Sequence, residues 1–283
     1  MTLSLKSKSS GVPVISCVAE RNKRAGPRAW AGLALLSLPT VMLGLDLTLL
    51  HLTLPALALD LSPTSTQALW IMDAYGFFIA GFLITMGTLG DRIGRRKLLM
   101  IGSVAFAMAS VVAAFSTSAN MLIAARAALG VAGATLMPST LALISNLFVD
   151  PRQRALGIGI WATMWGVGSA LGPVVGGLML EWFWWGSVFL INIPMVIFAL
   201  ITLPFVAPRS VRNPDKHWDV ISSLMAMVCL VGAVMTIKEL AHSPQNWPLI
   251  AVAMVCAVVG GFLFVRRQPR LEQPLLTLEV FKE

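Results

Sequence analysis

Eight apolar runs, each near the roughly 20 residues a helix needs to cross a bilayer, divide this chain of 283 residues. They cover about 31–50, 68–89, 98–115, 121–141, 155–180, 188–206, 220–237 and 249–265. Runs of this length leave few folds open. In lipid, every backbone polar group must find its partner within the segment or a closed sheet, so each run is expected to be an α-helix. Composition agrees. The chain is 57% hydrophobic and 12% charged, with mean hydropathy +0.81. Soluble domains carry about 25% charged residues, and half of that cannot cover a water-exposed surface of this size. The expected fold class is all-α, a polytopic membrane protein.

The loops test the count. With the N-terminus in the cytoplasm, all 21 basic residues except Arg126 and Lys238 fall on the cytoplasmic side. Such one-sidedness is what the positive-inside rule demands, and adding or dropping one span would scramble every later loop. The reading is a plasma (inner) membrane protein with N-terminus and C-terminus both cytoplasmic. The net charge of +8 would point to nucleic acid in a soluble protein. Here it orients the spans, so no nucleic-acid partner is expected; the lipid bilayer is.

Five regions follow. Residues 1–29 read as a disordered basic cytoplasmic tail and 30–207 as six spans. Residues 208–218 form a cytoplasmic hinge with Pro208 and Pro214, and 219–265 hold two further spans. Residues 266–283 read as a cytoplasmic tail or the lead-in to a missing second half. The first run is too long for a signal-peptide core, so it is expected to stay.

Chemistry is sparse. Cys17, Cys229 and Cys256 form no disulfide framework, and His51, His217 and His242 lie too far apart for a ligand pattern. No metal and no cofactor are expected. The sequences H-E-x-x-H, G-x-S-x-G and G-x-x-x-x-G-K-[ST] are missing from the chain. The reading is therefore not an enzyme, and not an ATP-driven pump within this chain.

Charges inside the spans stand out, because each costs at least about 2.5–3.5 kcal/mol at the bilayer centre. Asp46 lies in the first run, Asp73 early in the second and Arg126 early in the fourth. A carboxylate in a partly dry site can hold a proton or face a cation, but not both cheaply. The alternative is a carboxylate kept to pair with Arg126. Arg126 stays charged and needs Asp46, a carbonyl or water as its partner. Asp73 reads as a solvated helix end or a substrate contact. His51 is a titratable candidate near neutral pH or an ordinary surface residue. Trp161 and Trp165, four apart, offer aromatic faces to a cation or pack against neighbours. Trp182, Trp184 and Trp185 read as an interfacial belt.

Two motifs remain. Between the second and third runs stands G-x-L-G-D-R-x-G-R-R-K, with Gly87, Asp91, Arg92, Gly94, Arg95 and Arg96. Its glycines allow a tight turn, and its charges suit a latch between helix bundles. In the fifth run stands G-x-x-x-G-P-x-x-G-G, with Gly168, Gly172, Pro173, Gly176 and Gly177. Small residues there let helices touch. A dinucleotide fingerprint is excluded, since no strand precedes it and the segment is apolar at membrane length.

The first motif resembles the signature loop of the major facilitator superfamily, and the second resembles its antiporter motif. Arg126, Gly130 and Gly133 are similar to that family's proton-transfer motif, although Leu129 stands where glutamine is frequent. Phe148, Pro151 and Arg154 are similar to the loop before the fifth span, and Asn192 and Pro194 to the sixth. Asp46, Leu47 and Thr48 through Leu54 and Pro55 resemble the first span of the fourteen-helix drug:proton antiporters, and His51 resembles the methyl viologen and quaternary ammonium exporters among them. The resemblance implies a six-helix N-terminal bundle plus two additional transmembrane helices, truncated after the eighth. It implies proton-coupled export of small hydrophobic or cationic substrates, with a second chain as one source of the missing half. On it, Asp46 and Arg126 serve coupling and substrate charge, and Asp91, Arg92 and Arg95 serve gating. A non-transporting membrane protein or assembly partner is the rival reading.

Overall fold

The computed structural model describes residues 25–206, 219–241 and 247–268. Among them are nine helices and no strand: α1 (Pro27–Leu61), α2 (Ser65–Ile93), α3 (Arg95–Ala114), α4 (Ala119–Leu147), α5 (Pro151–Trp182), α6 (Ser187–Leu190), α7 (Asn192–Val206), α8 (Val220–Ala241) and α9 (Trp247–Arg267). Eight segments are long and apolar enough to cross a membrane, with Ser187–Phe205 counted as one. This is the number expected from sequence.

The helices outrun the apolar stretches, because polar residues at their ends extend beyond the hydrocarbon. α1 begins at Pro27, inside the expected tail, where proline suits a first helical turn, and it runs through Pro55 to Leu61. α9 reaches Arg267, two residues past the expected boundary. The expected hinge lies outside the described residues. α2 starts on a capping box, in which Thr64 and Gln67 satisfy each other's backbone amides. Ser118 and Asp150 cap α4 and α5.

One expected span is broken. The run of about 188–206 divides at Ile191 into α6 and α7. Pro194 has no N–H to give the Leu190 carbonyl four residues back, so the ladder opens there.

α1 is the hub, with 67% of its central stretch buried, whereas 11% of α5's is. It packs most heavily on α5 and also meets α4, α7 and α2. α2 and α3 lie against α4, and the α8–α9 hairpin leans on α2. The core gathers Leu43, Leu50, Tyr75, Phe106, Leu129 and Phe189 where α1–α4 and α6 meet. The outward faces carry large apolar side chains such as Val174, Phe205 and Val258, as a lipid-solvated surface should.

A polar core where five helices meet

Local packing brings the helices close enough for a small polar cluster to close. On α4, a methyl group at Gly130 would press on the Tyr75 carbonyl and Phe78 of α2, and one at Gly133 on Leu43 of α1. Their smallness draws α1, α2 and α4 together around Arg126. That side chain is wholly buried, and Asp46 is 2% exposed.

Arg126 Nη1 donates to Asp46 Oδ2 at 2.7 Å. Its Nε donates to the Ile71 carbonyl at 3.2 Å, and its guanidinium carbon lies 4.5 Å from the centre of the Tyr75 ring. Tyr75 in turn donates to the Leu43 carbonyl at 3.4 Å and meets Phe106 edge-on. The other carboxylate oxygen, Asp46 Oδ1, accepts from Asn192 Nδ2 at 3.2 Å, and the same amide reaches Ser110 Oγ at 3.3 Å. Side chains from α1, α2, α3, α4 and α7 are thus linked around one carboxylate, which Arg126 and Asn192 contact directly. Among the described residues, Arg126 Nη2 and Asn192 Oδ1 find no hydrogen-bond partner.

The structure therefore joins Asp46 and Arg126 inside the bundle. The other candidates stand apart. His51 is exposed on α1. Asp73 of α2 forms an ion pair with Lys238 of α8, which ties the hairpin to the bundle. Trp161 donates to Thr140 Oγ1 at 3.1 Å across to α4, and Trp165 is half-buried against the core. Of the tryptophans read as a belt, Trp182 and Trp184 are exposed, while Trp185 is buried and donates to Asp60 Oδ2 at 2.7 Å.

The signature motif is hardly a loop. α2 runs on through Asp91 and Arg92 to Ile93, α3 starts at Arg95, and Gly94 alone joins them with φ 101°. Asp91 and Arg95 pair at 2.5 Å across that turn. The Arg95 side chain lies on Gly90, where a methyl group would sit 2.9 Å from its Cδ. Gly87 rests near Pro138 of α4, Arg96 is half-buried, and Arg92 points outward.

The second motif divides by face. Gly168, Gly172 and Gly176, one turn apart, press on Val41, Thr48 and Leu49 of α1, and Thr48 Oγ1 donates to the Ser169 carbonyl at 2.9 Å. Pro173 is exposed, and Gly177 has open space where a side chain would be.

Tyr75, Ser110 and Asn192 were not among the candidate site residues. A signal existed for two of them. Tyr75 is the chain's single tyrosine, set in an apolar run, and Asn192 is an amide two residues before a proline within a span. Ser110 gave none.

A family model described as Major Facilitator Superfamily matches residues 36–267. The chain belongs to that family. Among its relatives, the multidrug efflux pump LfrA of Mycolicibacterium smegmatis is 45% identical over 260 residues, covering 92% of this chain and 51% of that protein. The methyl viologen resistance protein SmvA of Salmonella typhimurium is 34% identical over 254 residues, covering 90% and 51%. A methylenomycin A resistance protein of Bacillus subtilis is 32% identical over 250 residues, covering 88% and 53%. The chain spans about half the length of the curated relatives it matches. A crystal structure of a peptide transporter, POT, aligns with a TM-score of 0.58 at 16% identity, over 79% of this chain and 55% of that one. That likeness bears on the fold alone. Eight apolar helices and this membership make the chain a multi-pass membrane protein.

Proposed function

We propose that this chain forms the first half of a multidrug exporter, which moves hydrophobic or cationic compounds outward across the plasma (inner) membrane in exchange for protons. The observation that carries the reading is 45% identity across 92% of the chain to a multidrug efflux pump. Its N-terminus is cytoplasmic, on the strength of the basic loops. The second half comes from further sequence or from a second chain.

In this reading Asp46 is the coupling group. While ionised, it balances Arg126 within the buried core. When it takes a proton, the guanidinium loses its counter-charge inside a low-dielectric core, a cost that helix rearrangement relieves. Protonation is thereby tied to how α1 and α4 pack. The signature turn serves gating, through Asp91, Arg92 and Arg95.

The test is proton-driven ethidium movement in everted vesicles. It compares this chain alone, the chain with a relative's second half supplied separately, and an Asp46→Asn variant of each. Transport that needs the second half and disappears with Asp46→Asn is the expected result. Transport by neither assembly would leave a non-transporting membrane protein instead.

A further inference from the structure

We infer that Asn192, backed by Ser110, is a positioning residue that gives Asp46 Oδ1 a hydrogen-bond partner in either protonation state. The inference rests on the coupling role proposed for Asp46.

The two carboxylate oxygens are held by different chemistry. Oδ2 faces a guanidinium, which only donates. Oδ1 faces the Asn192 amide, which carries both a donor end and an acceptor end. A carboxylate needs donors at both oxygens, whereas a carboxylic acid must itself donate. Arginine cannot accept that bond, so the proton belongs on Oδ1.

Asn192 is placed to receive it. Its Nδ2 serves Asp46 and Ser110 together, and its Oδ1 is buried with no partner. If the amide turns over, that oxygen faces both groups. It then accepts from the new Asp46 O–H and from the Ser110 hydroxyl, which can donate as readily as accept. One proton is taken up, and the two N–H···O bonds from Nδ2 to Asp46 and Ser110 are replaced by two O–H···O bonds to the amide oxygen, while Nδ2 takes the unpartnered place that the oxygen held. The break at Ile191 puts Asn192 at the first residue of α7, where the backbone is not locked into a continuous helix.

Among the described residues, Arg126 is the one charged side chain paired with Asp46. Arg126 from α4 pairs with Asp46, and Tyr75 from α2 lies against that guanidinium. α3 and α7 bring only Ser110 and Asn192, and α5 meets the neighbouring turn of α1 through Ser169 and Thr48.

The experiment takes whichever assembly moves ethidium in vesicles. It reads proton-driven transport beside ethidium counterflow, an exchange without net proton movement. Asn192→Leu should lose about tenfold or more of proton-driven transport, the size of leaving a buried polar group unmet, while counterflow stays near wild type. Asn192→Gln, which keeps the amide, should restore transport. Where either variant fails to reach the membrane, Ser110→Ala against Ser110→Thr reads the same split, with the hydroxyl-bearing variant active.

Equal loss of both activities in the leucine and glutamine variants would make Asn192 a packing residue and overturn the inference. Unchanged transport in Asn192→Leu, beside loss in Asp46→Asn, would overturn it while sparing Asp46. Unchanged transport in Asp46→Asn would remove the coupling role, and this inference with it.

Discussion

Arg126 and Asp46, 80 positions apart in sequence, share a buried 2.7 Å ion pair. Pairs of this kind cost more to break than to replace. Removing one partner leaves an uncompensated buried charge, so Arg126→Leu should destabilise the bundle by about 3–5 kcal/mol. The double variant Asp46→Leu/Arg126→Leu should regain much of that loss. Thermal unfolding in detergent, run as a double-mutant cycle, measures both.

The glycine stripe on α5 makes a second prediction, because one motif contains opposite cases. A methyl group at Gly168 would collide with the Val41 backbone, while one at Gly177 meets nothing within 4 Å. Gly168→Ala should therefore cost about 1–3 kcal/mol by overpacking. Gly177→Ala should be neutral or slightly stabilising, since alanine is the better helix former. Comparing midpoints of denaturation for the two variants decides it.

Gly94 should tolerate no side chain. At φ 101° and ψ 127° the backbone lies where an L-residue is strained, so Gly94→Ala should cost about 1–3 kcal/mol. Gly87→Ala, in ordinary helix with its nearest neighbour at 3.8 Å, should be close to neutral, since a methyl group there meets only ordinary van der Waals contact and alanine is the better helix former. Parallel thermal melts of the two would separate backbone strain from loss of a motif glycine.

A fourth prediction concerns pH. Burial alone would raise the Asp219 carboxyl, but hydrogen bonds from the Ser222 hydroxyl and amide and from Arg267 outweigh it and hold the group below its ordinary value. Because the folded value is the lower one, the fastening of α9 onto the start of α8 is present above the ordinary carboxylate range. It is lost as pH falls through the folded value. Acidification should thus loosen the hairpin ends, and Asp219→Asn should show the loosened state at neutral pH. Spin labels on α8 and α9 near that end read the distance directly.

Much of this was open to a reader of the sequence. Membrane burial imposes so large a cost on charge that Asp46 and Arg126 announced themselves, and the apolar runs gave the spans. What stayed hidden depended on distance or on small polar groups. Lys238 meets Asp73 across 165 positions, and no periodicity links them. Ser110 looks like any small residue in an apolar helix. Asn192 could be noticed but not aimed, because its direction follows from the break that Pro194 forces in the helix ladder. Helix ends lie beyond the apolar runs for a related reason. Hydropathy marks where lipid stops, whereas a helix stops where its hydrogen bonds do.

Joining α2 to α3 through Gly94 alone also restricts how those helices can travel. A longer connector would give slack, and each helix could tilt while the other stood still. Here one pair of backbone torsions, spanned by the Asp91–Arg95 link, is the whole articulation. Any displacement at this end of α2 is handed to α3 within one residue. The two move as a single lever, or they pivot about that glycine.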